Sequence, residues 1–208
     1  MNIITSWDDA CLSDIRLAEL LKKHNMNGIF FWQNNLKNPF NLKRCKRFLT
    51  LKDCIDISKD FEVGAHTVNH HYLTDLNHVD ADYEIVESKK YWQKTLNKKV
   101  KRFCYPRGRY NKSVLDTISK NFDYARLTIL SDDNNDESNF LIRPQLHVGV
   151  ERREYNDENW LDYGKKLFIK MKNNNCNEFH LFGHSWELDE YKEWDNLEIF
   201  FKFIKDNV

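Results

Sequence analysis

The 208-residue sequence contains few of the residues that interrupt regular structure, with three prolines and six glycines. No Pro- or Ser-rich linker divides it, so we expect a single domain over residues 1–208. No apolar run is long enough to cross a bilayer, which excludes a membrane span. Hydrophobic residues nevertheless make up 41% of the chain. This content supports a sizeable core and argues against disorder.

The sequence also has no excess charge of either sign, because 32 basic residues balance 32 acidic ones. This balance argues against a nucleic-acid partner or a membrane surface held by net charge. Basic residues do cluster at 43–47 and at 98–102. Blocks of charge usually mark exposed surface, and we interpret both clusters in that way.

Cysteine is scarce, with five residues and no CxxC pair. An odd number without paired spacing does not suggest a disulfide framework, so we expect reduced thiols. The N-terminus shows neither the basic region nor the apolar region of a leader, which favours a cytoplasmic protein. The high Asn and Lys content is typical of AT-rich genomes, as in some bacteria and large DNA viruses.

What the sequence does contain is an alternation of strand-like and helix-like segments. The predicted strands are Asn2–Ser6, Ile29–Trp32, Glu62–Ala65, Val100–Tyr105, Tyr124–Thr128 and Glu178–Gly183. The predicted helices are Asp14–His24, Thr50–Lys59, Asp80–Leu96, Asn111–Asn121 and Leu197–Lys205, with a polar loop over Ser131–Asn139. This alternation implies a parallel sheet or an α/β barrel.

Residues able to perform chemistry follow several of these strands directly. Asp8 and Asp9 follow the first strand, His66 follows the third, and His184 follows the last. In barrels, the C-terminal ends of the strands carry the active site. We therefore expect these separate segments to converge on one rim.

One carboxylate of the Asp8–Asp9 pair, with His66 and His70, would form a three-ligand set for a divalent metal. The other carboxylate would then act as a base on water. The i, i+4 spacing of the histidines puts both rings on one side if the segment is helical, and His71 is an alternative to His70. Helix capping by the aspartates and a surface role for the histidines are the competing interpretations.

Two later segments complete the pattern. In FCYPRGRYN, residues 103–111, proline and glycine predict a sharp loop whose backbone N–H could face a developing oxyanion, although an ordinary turn has the same sequence. In FHLFGHSWEL, residues 179–188, His184 is a candidate general acid or a core histidine. Trp186 is a candidate stacking surface for a sugar.

Taken in order, WDD, HTVNH, YPRG and FGH resemble the polysaccharide deacetylase family, the NodB-homology carbohydrate esterases. The resemblance covers nearly the whole chain and implies a distorted (β/α) barrel that removes N-acetyl groups from sugars. It implies a metal held by Asp9, His66 and His70, usually zinc, with cobalt as an alternative. It further implies a base, an acid and an oxyanion-binding N–H, which are Asp8, His184 and Arg107.

The motifs depart from the family pattern in two places. Ala10 replaces the usual glycine, and Cys104 replaces the arginine that pairs with the catalytic base in many members. We expect Arg143 to supply that guanidinium, with Arg126 as a second candidate.

The resemblance thus predicts a metal-dependent hydrolase acting on N-acetylated sugars. Asp132 or Asp133 is expected to orient the acid histidine. Two other functions stay open: hydrolysis of another amide or a cyclic imide at the same metal site, or carbohydrate binding without catalysis.

Overall fold

The computed structural model describes residues 1–133 and 138–208. Its strands are β1 (Asn2–Asp8), β2 (Ile29–Trp32), β3 (Glu62–Ala65), β4 (Arg102–Cys104), β5 (Tyr124–Arg126), β6 (Leu146–His147) and β7 (Glu178–His184). Its helices are α1 (Asp14–Lys23), α2 (Leu51–Ile57), α3 (His78–Leu96), α4 (Lys112–Asn121), α5 (Trp160–Asn173), α6 (Ser185–Glu190) and α7 (Trp194–Asn207). Short 3₁₀ turns lie at Leu73–Asp75, Pro106–Gly108 and Arg153–Tyr155.

The strands form one sheet in the order β5-β4-β3-β2-β1-β7-β6. Each of these pairings is parallel. The sheet curls into a half-barrel with helices around it, which confirms the predicted distorted α/β barrel. Because the strands are parallel, all seven C-terminal ends lie along one rim.

The described elements differ from the sequence prediction mainly between β5 and β7. Strand β6 has only two residues, too few for a periodic signal, and it was not predicted. Helix α5 was also missed, although its buried residues Trp160, Gly164, Leu167, Phe168 and Met171 recur at helical spacing. The expected polar loop over 131–139 lies partly outside the described residues.

The two faces of β1 show how the strands separate core from site. Trp7 is fully buried in the large hydrophobic core, where Trp92 on α3 donates from Nε1 to the Trp32 carbonyl at 2.9 Å. Ser6 and Asp8, which alternate with Trp7, face the inside of the half-barrel, where Ser6 Oγ lies 2.9 Å from His180 Nε2. The strand period of two therefore places apolar and polar residues on opposite faces.

A disulfide joins Cys11 to Cys45 across a sequence separation of 34 residues. This corrects the expectation of reduced thiols throughout, because the fold brings together two cysteines whose sequence spacing carries no signal. Cys54, Cys104 and Cys176 are free. In the described part of the chain, no helix is both long enough and apolar enough to span a membrane.

Asp14, at the start of α1, is completely buried and links three strand-end segments. Its carboxyl group accepts hydrogen bonds from Trp32 Nε1 at 3.1 Å and from Ser185 Oγ at 2.6 Å. Burial raises the pKa of Asp14 to about 8, although both hydrogen bonds favour the ionised form. Folding in neutral solution therefore requires this carboxyl group to take up a proton.

We expect Asp14→Asn to gain stability relative to the wild type as the pH rises. A raised native pKa stabilises the fold below the unfolded pKa of about 4, and this contribution is lost as the pH rises to about 8. Between pH 5 and pH 8 the unfolding free energy of Asp14→Asn should rise, relative to that of the wild type, by at least about 1 kcal/mol. Urea unfolding in the presence of chelator measures it, with the exposed Asp116→Asn as control. Parallel pH curves for wild type and Asp14→Asn would contradict the assignment.

Candidate active site

The C-terminal ends of the strands bring the predicted site residues together. Asp8 is paired in register with His184 across β1 and β7. Cys104 and Arg126 are likewise partners across β4 and β5. A cavity of about 500 Å³ opens at this rim and has Asp8, Asp9, His66, His70, Arg107, His147, His184 and Trp186 among its lining residues.

The candidate metal ligands Asp9, His66 and His70 meet at the rim. Nε2 of His66 lies 3.7 Å and Nε2 of His70 lies 3.6 Å from Asp9 Oδ1. The segment that carries the two histidines is not a helix, because Thr67 and His70 have left-handed φ angles of 67° and 61°. The helical spacing considered for the two histidines therefore does not apply. The Thr67 hydroxyl accepts from the His70 backbone N–H at 2.8 Å, which holds this tight turn.

Backbone carbonyls set the tautomers of both histidines. Nδ1 of His66 lies 2.7 Å from the Cys104 carbonyl, and Nδ1 of His70 lies 3.0 Å from the Phe40 carbonyl. Because a carbonyl only accepts, each Nδ1 carries the proton and each Nε2 keeps its lone pair. Asn69, between the two histidines, donates from its backbone and side-chain N–H groups to Glu84. His71 packs on Phe40 and does not join the cluster.

The electrostatics of this cluster fit a divalent cation. Burial lowers the pKa of His66 and His70 to about 4, which keeps both rings neutral. Asp9 Oδ1 is buried and has no hydrogen-bond partner, and burial raises the pKa of this carboxyl. Ligand atoms of a tetrahedral zinc site are about 3.4 Å apart, close to the separations from Asp9 Oδ1. A cation here would compensate a carboxylate that is otherwise costly to bury.

Asp8 has a different environment, because Arg126 forms a buried ion pair with it through Nη2 and Oδ1. This corrects the expectation that Arg143 supplies the guanidinium. Burial alone would raise the pKa of Asp8, but Arg126, together with His66 and His184, outweighs burial and holds the pKa at about 2. Cys104, where the family arginine would stand, donates from its thiol to Asp8 Oδ2 at 3.4 Å. Strand β5 therefore supplies, through Arg126, the positive charge that β4 lacks at Cys104.

His184 is oriented by Glu187, which corrects the expectation of Asp132 or Asp133. Nδ1 of His184 donates to Glu187 Oε2 at 2.7 Å, while Nε2 faces Asp8 and Asp9 at 3.9 and 3.8 Å. Burial opposes the charged ring, but Glu187 and both aspartates raise the pKa of His184 to about 10. The imidazole is therefore held in the protonated form.

His147 on β6 shares the same carboxylate oxygen of Glu187, at 2.8 Å from its Nε2. Arg152 Nη1 lies 3.3 Å from His147 Nδ1. A guanidinium only donates, so Nδ1 accepts and Nε2 carries the proton given to Glu187. The i, i+3 spacing of Glu187 from His184 was a signal available in the sequence, whereas His147 had none.

Arg107 lies in the turn after β4 with a left-handed φ of 60°. Gly108 follows with φ 65°, and a Cβ there would lie 2.5 Å from Thr128 Oγ1, so only glycine fits. Arg107 lines the cavity, so this turn faces it.

Trp186, expected as a stacking surface, donates from Nε1 to Asp9 Oδ2 at 2.9 Å. The indole therefore fixes the second oxygen of Asp9.

Two other residue groups in the described part of the chain have metal-like spacing, Asp8–His66–Cys104 and His147–His184–Glu187. The first is a poor site because burial raises the pKa of the Cys104 thiol, which stays protonated. In the second, the Glu187 oxygen already accepts from both imidazoles. The group formed by Asp9, His66 and His70 is the best candidate.

Comparison with known proteins gives one family and one fold. The model of the family described as polysaccharide deacetylase matches residues 3–125. The chain is similar to the Streptococcus pyogenes deacetylase PplD, solved with acetate, at 25% identity and a TM-score of 0.54, covering 61% of this chain and 55% of that one. No curated protein matches the sequence significantly.

Two further structures share the fold at lower identity. A family 4 carbohydrate esterase from Streptomyces lividans, solved with acetate, is 13% identical, with a TM-score of 0.62 and coverage of 99% of this chain and 88% of that one. A CE4 family pseudoenzyme from Bacillus anthracis is 15% identical, with a TM-score of 0.59 and coverage of 99% and 61%. The chain thus spans less than two thirds of the streptococcal and Bacillus proteins.

We expect His70→Ala to lower zinc affinity by at least about 100-fold, because it removes one of three ligands. The adjacent His71→Ala is the matched control and should bind zinc like the wild type. Metal content after dialysis and calorimetric titration of the chelator-stripped protein measure the effect. Equal zinc affinity in the two variants would contradict the assignment.

Proposed function

Because this chain belongs to the polysaccharide deacetylase family, we propose that it is a metal-dependent hydrolase that removes N-acetyl groups from N-acetylated sugars. The observation that supports this most is that one cavity brings together a carboxylate paired with a cation and an imidazole paired with a carboxylate. Asp8 forms a buried ion pair with Arg126, and His184 donates from Nδ1 to Glu187 Oε2 at 2.7 Å, contacts that favour the ionised carboxyl group and the protonated ring. A ready base and a ready acid are what amide hydrolysis requires.

Asp9, His66 and His70 would hold the metal, zinc by preference and cobalt as an alternative. A divalent metal bound there supplies Lewis-acid chemistry, since it polarises the amide carbonyl and makes water more acidic. The neutral imidazoles and the unpartnered Asp9 oxygen support this assignment.

Asp8 accepts the proton of the attacking water, and Arg126 keeps this carboxylate ionised and fixed. The backbone N–H of Arg107 donates to the oxyanion formed from the acetyl carbonyl. His184 gives its proton to the leaving nitrogen as the C–N bond breaks, so the products are acetate and a free amine. Glu187 accepts from the His184 ring and from His147, and so positions the His184 ring.

A second candidate function is carbohydrate binding without catalysis. It is favoured by the likeness to a pseudoenzyme and by the two departures from the family motifs, Ala10 and Cys104. Arg126 argues against it, because the charge missing at Cys104 is restored from β5. Hydrolysis of another amide or of a cyclic imide at the same metal site is the third.

We expect Asp8→Asn to keep the fold and bound metal but to lose acetate release by about 1,000-fold, because the amide cannot act as the base. Acetate release from N-acetylglucosamine oligomers by zinc-reconstituted enzyme measures this. A rate for Asp8→Asn near that of the wild type would eliminate Asp8 as the base. If the wild type binds metal and these oligomers without releasing acetate, the binding function is favoured.

We expect Glu187→Gln to lower kcat by about 10- to 100-fold with little change in KM, because an amide orients His184 less firmly and does not stabilise its positive charge. Asp132→Asn is the matched control, since Asp132 pairs with Lys170 on the surface. Steady-state kinetics on the same oligomers distinguish the two. A kcat loss in Asp132→Asn equal to that in Glu187→Gln would contradict this positioning role.

A further inference from the structure

A second cavity, of about 790 Å³, adjoins the cavity of the candidate active site. Lys43, Arg44, Cys45 and Trp186 line both cavities, so the two form one groove. The wall of the second cavity continues through Lys46 and Arg47. A basic segment, residues 43–47, therefore runs along the groove that leads to the acetyl-hydrolysing residues.

The basic segment is tied directly to the chain that follows Asp9. The Leu12 N–H donates to the Arg47 carbonyl at 2.9 Å, and the Leu49 N–H donates to the Ala10 carbonyl at 2.9 Å. The disulfide between Cys11 and Cys45 adds a covalent link. The backbone that carries these charges is thus held in place beside the site.

Several of these cations lack a carboxylate partner. Within residues 1–133 and 138–208, the exposed Lys43, Lys46 and Arg47 form no ion pair. Some lysines elsewhere on the surface form ion pairs, as in Lys22–Asp60, Lys52–Asp56, Lys101–Asp123, Lys166–Glu158 and Lys202–Glu198, and others in the described ranges, such as Lys37 and Lys99, do not. What distinguishes the basic segment is that its unpaired cations are adjacent to one another and line one groove. In a chain with no net charge, uncompensated positive charge is therefore placed beside the active site.

The carboxylates on the same groove do not cancel this charge. Five cations line the second cavity, Arg16, Lys43, Arg44, Lys46 and Arg47, against two carboxylates, Asp189 and Glu190. Asp189 accepts from Ser13 and, at 2.8 Å, from Trp194 Nε1 and pairs with none of these cations. Glu190 lies 3.9 Å from Arg44, which leaves the other cations of the segment unaffected. A neutral glycan would have no use for these charges, whereas a phosphate accepts well from both lysine and arginine.

We propose that the substrate is an N-acetylated sugar that carries a phosphate group, and that the basic segment binds this phosphate while the acetamido group enters the active-site cavity. This inference rests on the proposed function, because it assigns a substrate class to that site. A nucleic acid fits the observations less well, since the groove ends at the catalytic residues and the chain has no net positive charge.

The test compares three substrates with the zinc-reconstituted enzyme: N-acetylglucosamine 1-phosphate, UDP-N-acetylglucosamine and the neutral N-acetylglucosamine tetramer. The variant is Lys43→Gln/Lys46→Gln/Arg47→Gln. The control, Lys22→Gln/Lys101→Gln/Lys166→Gln, removes the same charge elsewhere. We expect kcat/KM to favour a phosphorylated sugar by at least about tenfold, and the variant to raise its KM by about tenfold. The neutral tetramer should lose less, and the control should preserve the preference.

A preference for N-acetylglucosamine 1-phosphate would indicate a sugar monophosphate as the substrate, and a preference for UDP-N-acetylglucosamine would indicate a nucleotide sugar. Either result supports the proposal. Deacetylation of the tetramer with no preference for phosphate, or equal losses on all substrates, overturns it and leaves the proposed function intact. Calorimetry with UDP-N-acetylglucosamine separates the two claims if no substrate is hydrolysed. Weaker binding by the variant then retains the phosphate site, and unchanged binding overturns it. A DNA oligonucleotide is titrated in the same way. If the triple variant loses affinity for the oligonucleotide but not for UDP-N-acetylglucosamine, the proposal is also overturned.

Discussion

Two adjacent carboxylates, buried at the end of one strand, are the constraint on which the site depends. Asp8 and Asp9 are 1% and 2% exposed, and two such charges are stable only if each has a compensating cation. The fold supplies one cation, Arg126, to Asp8. The protonated His184 faces Oδ2 of both aspartates, at 3.9 Å from Asp8 and 3.8 Å from Asp9. Among the described residues no cation faces Asp9 Oδ1, toward which two neutral imidazoles turn instead. This difference in surroundings divides the pair into a candidate base, Asp8, and a candidate metal ligand, Asp9.

The same division extends to the acid side of the cavity. His184 can remain protonated inside the protein because Glu187 and both aspartates surround it with negative charge. Glu187 can remain ionised because His147 and His184 both donate to it. Each buried charge is thus stabilised by the next, so loss of one carboxylate should disturb more than its own contacts.

The groove outside this cluster differs from it, because its charges are exposed and several of them have no partner of opposite charge among the described residues. Its cations lie on an exposed segment, and hydrogen bonds and a disulfide tie that segment to the chain after Asp9. Under the proposed function, interactions inside the cavity would select for amide chemistry, whereas the charge of the basic segment would select a sugar that carries phosphate. Rim charges in water act mainly through long-range attraction and therefore depend on ionic strength.

The sequence by itself determined the α/β barrel and the convergence of Asp8, Asp9, His66 and His184, because period and strand-end position are local properties of the chain. It could also have indicated Glu187, which lies one helical turn beyond His184. Only the tertiary structure decided that Arg126 and not Arg143 pairs with Asp8, since that choice depends on the register of β4 against β5. The Cys11–Cys45 disulfide was likewise beyond sequence reasoning, because a contact across 34 residues exists only once the loops have packed.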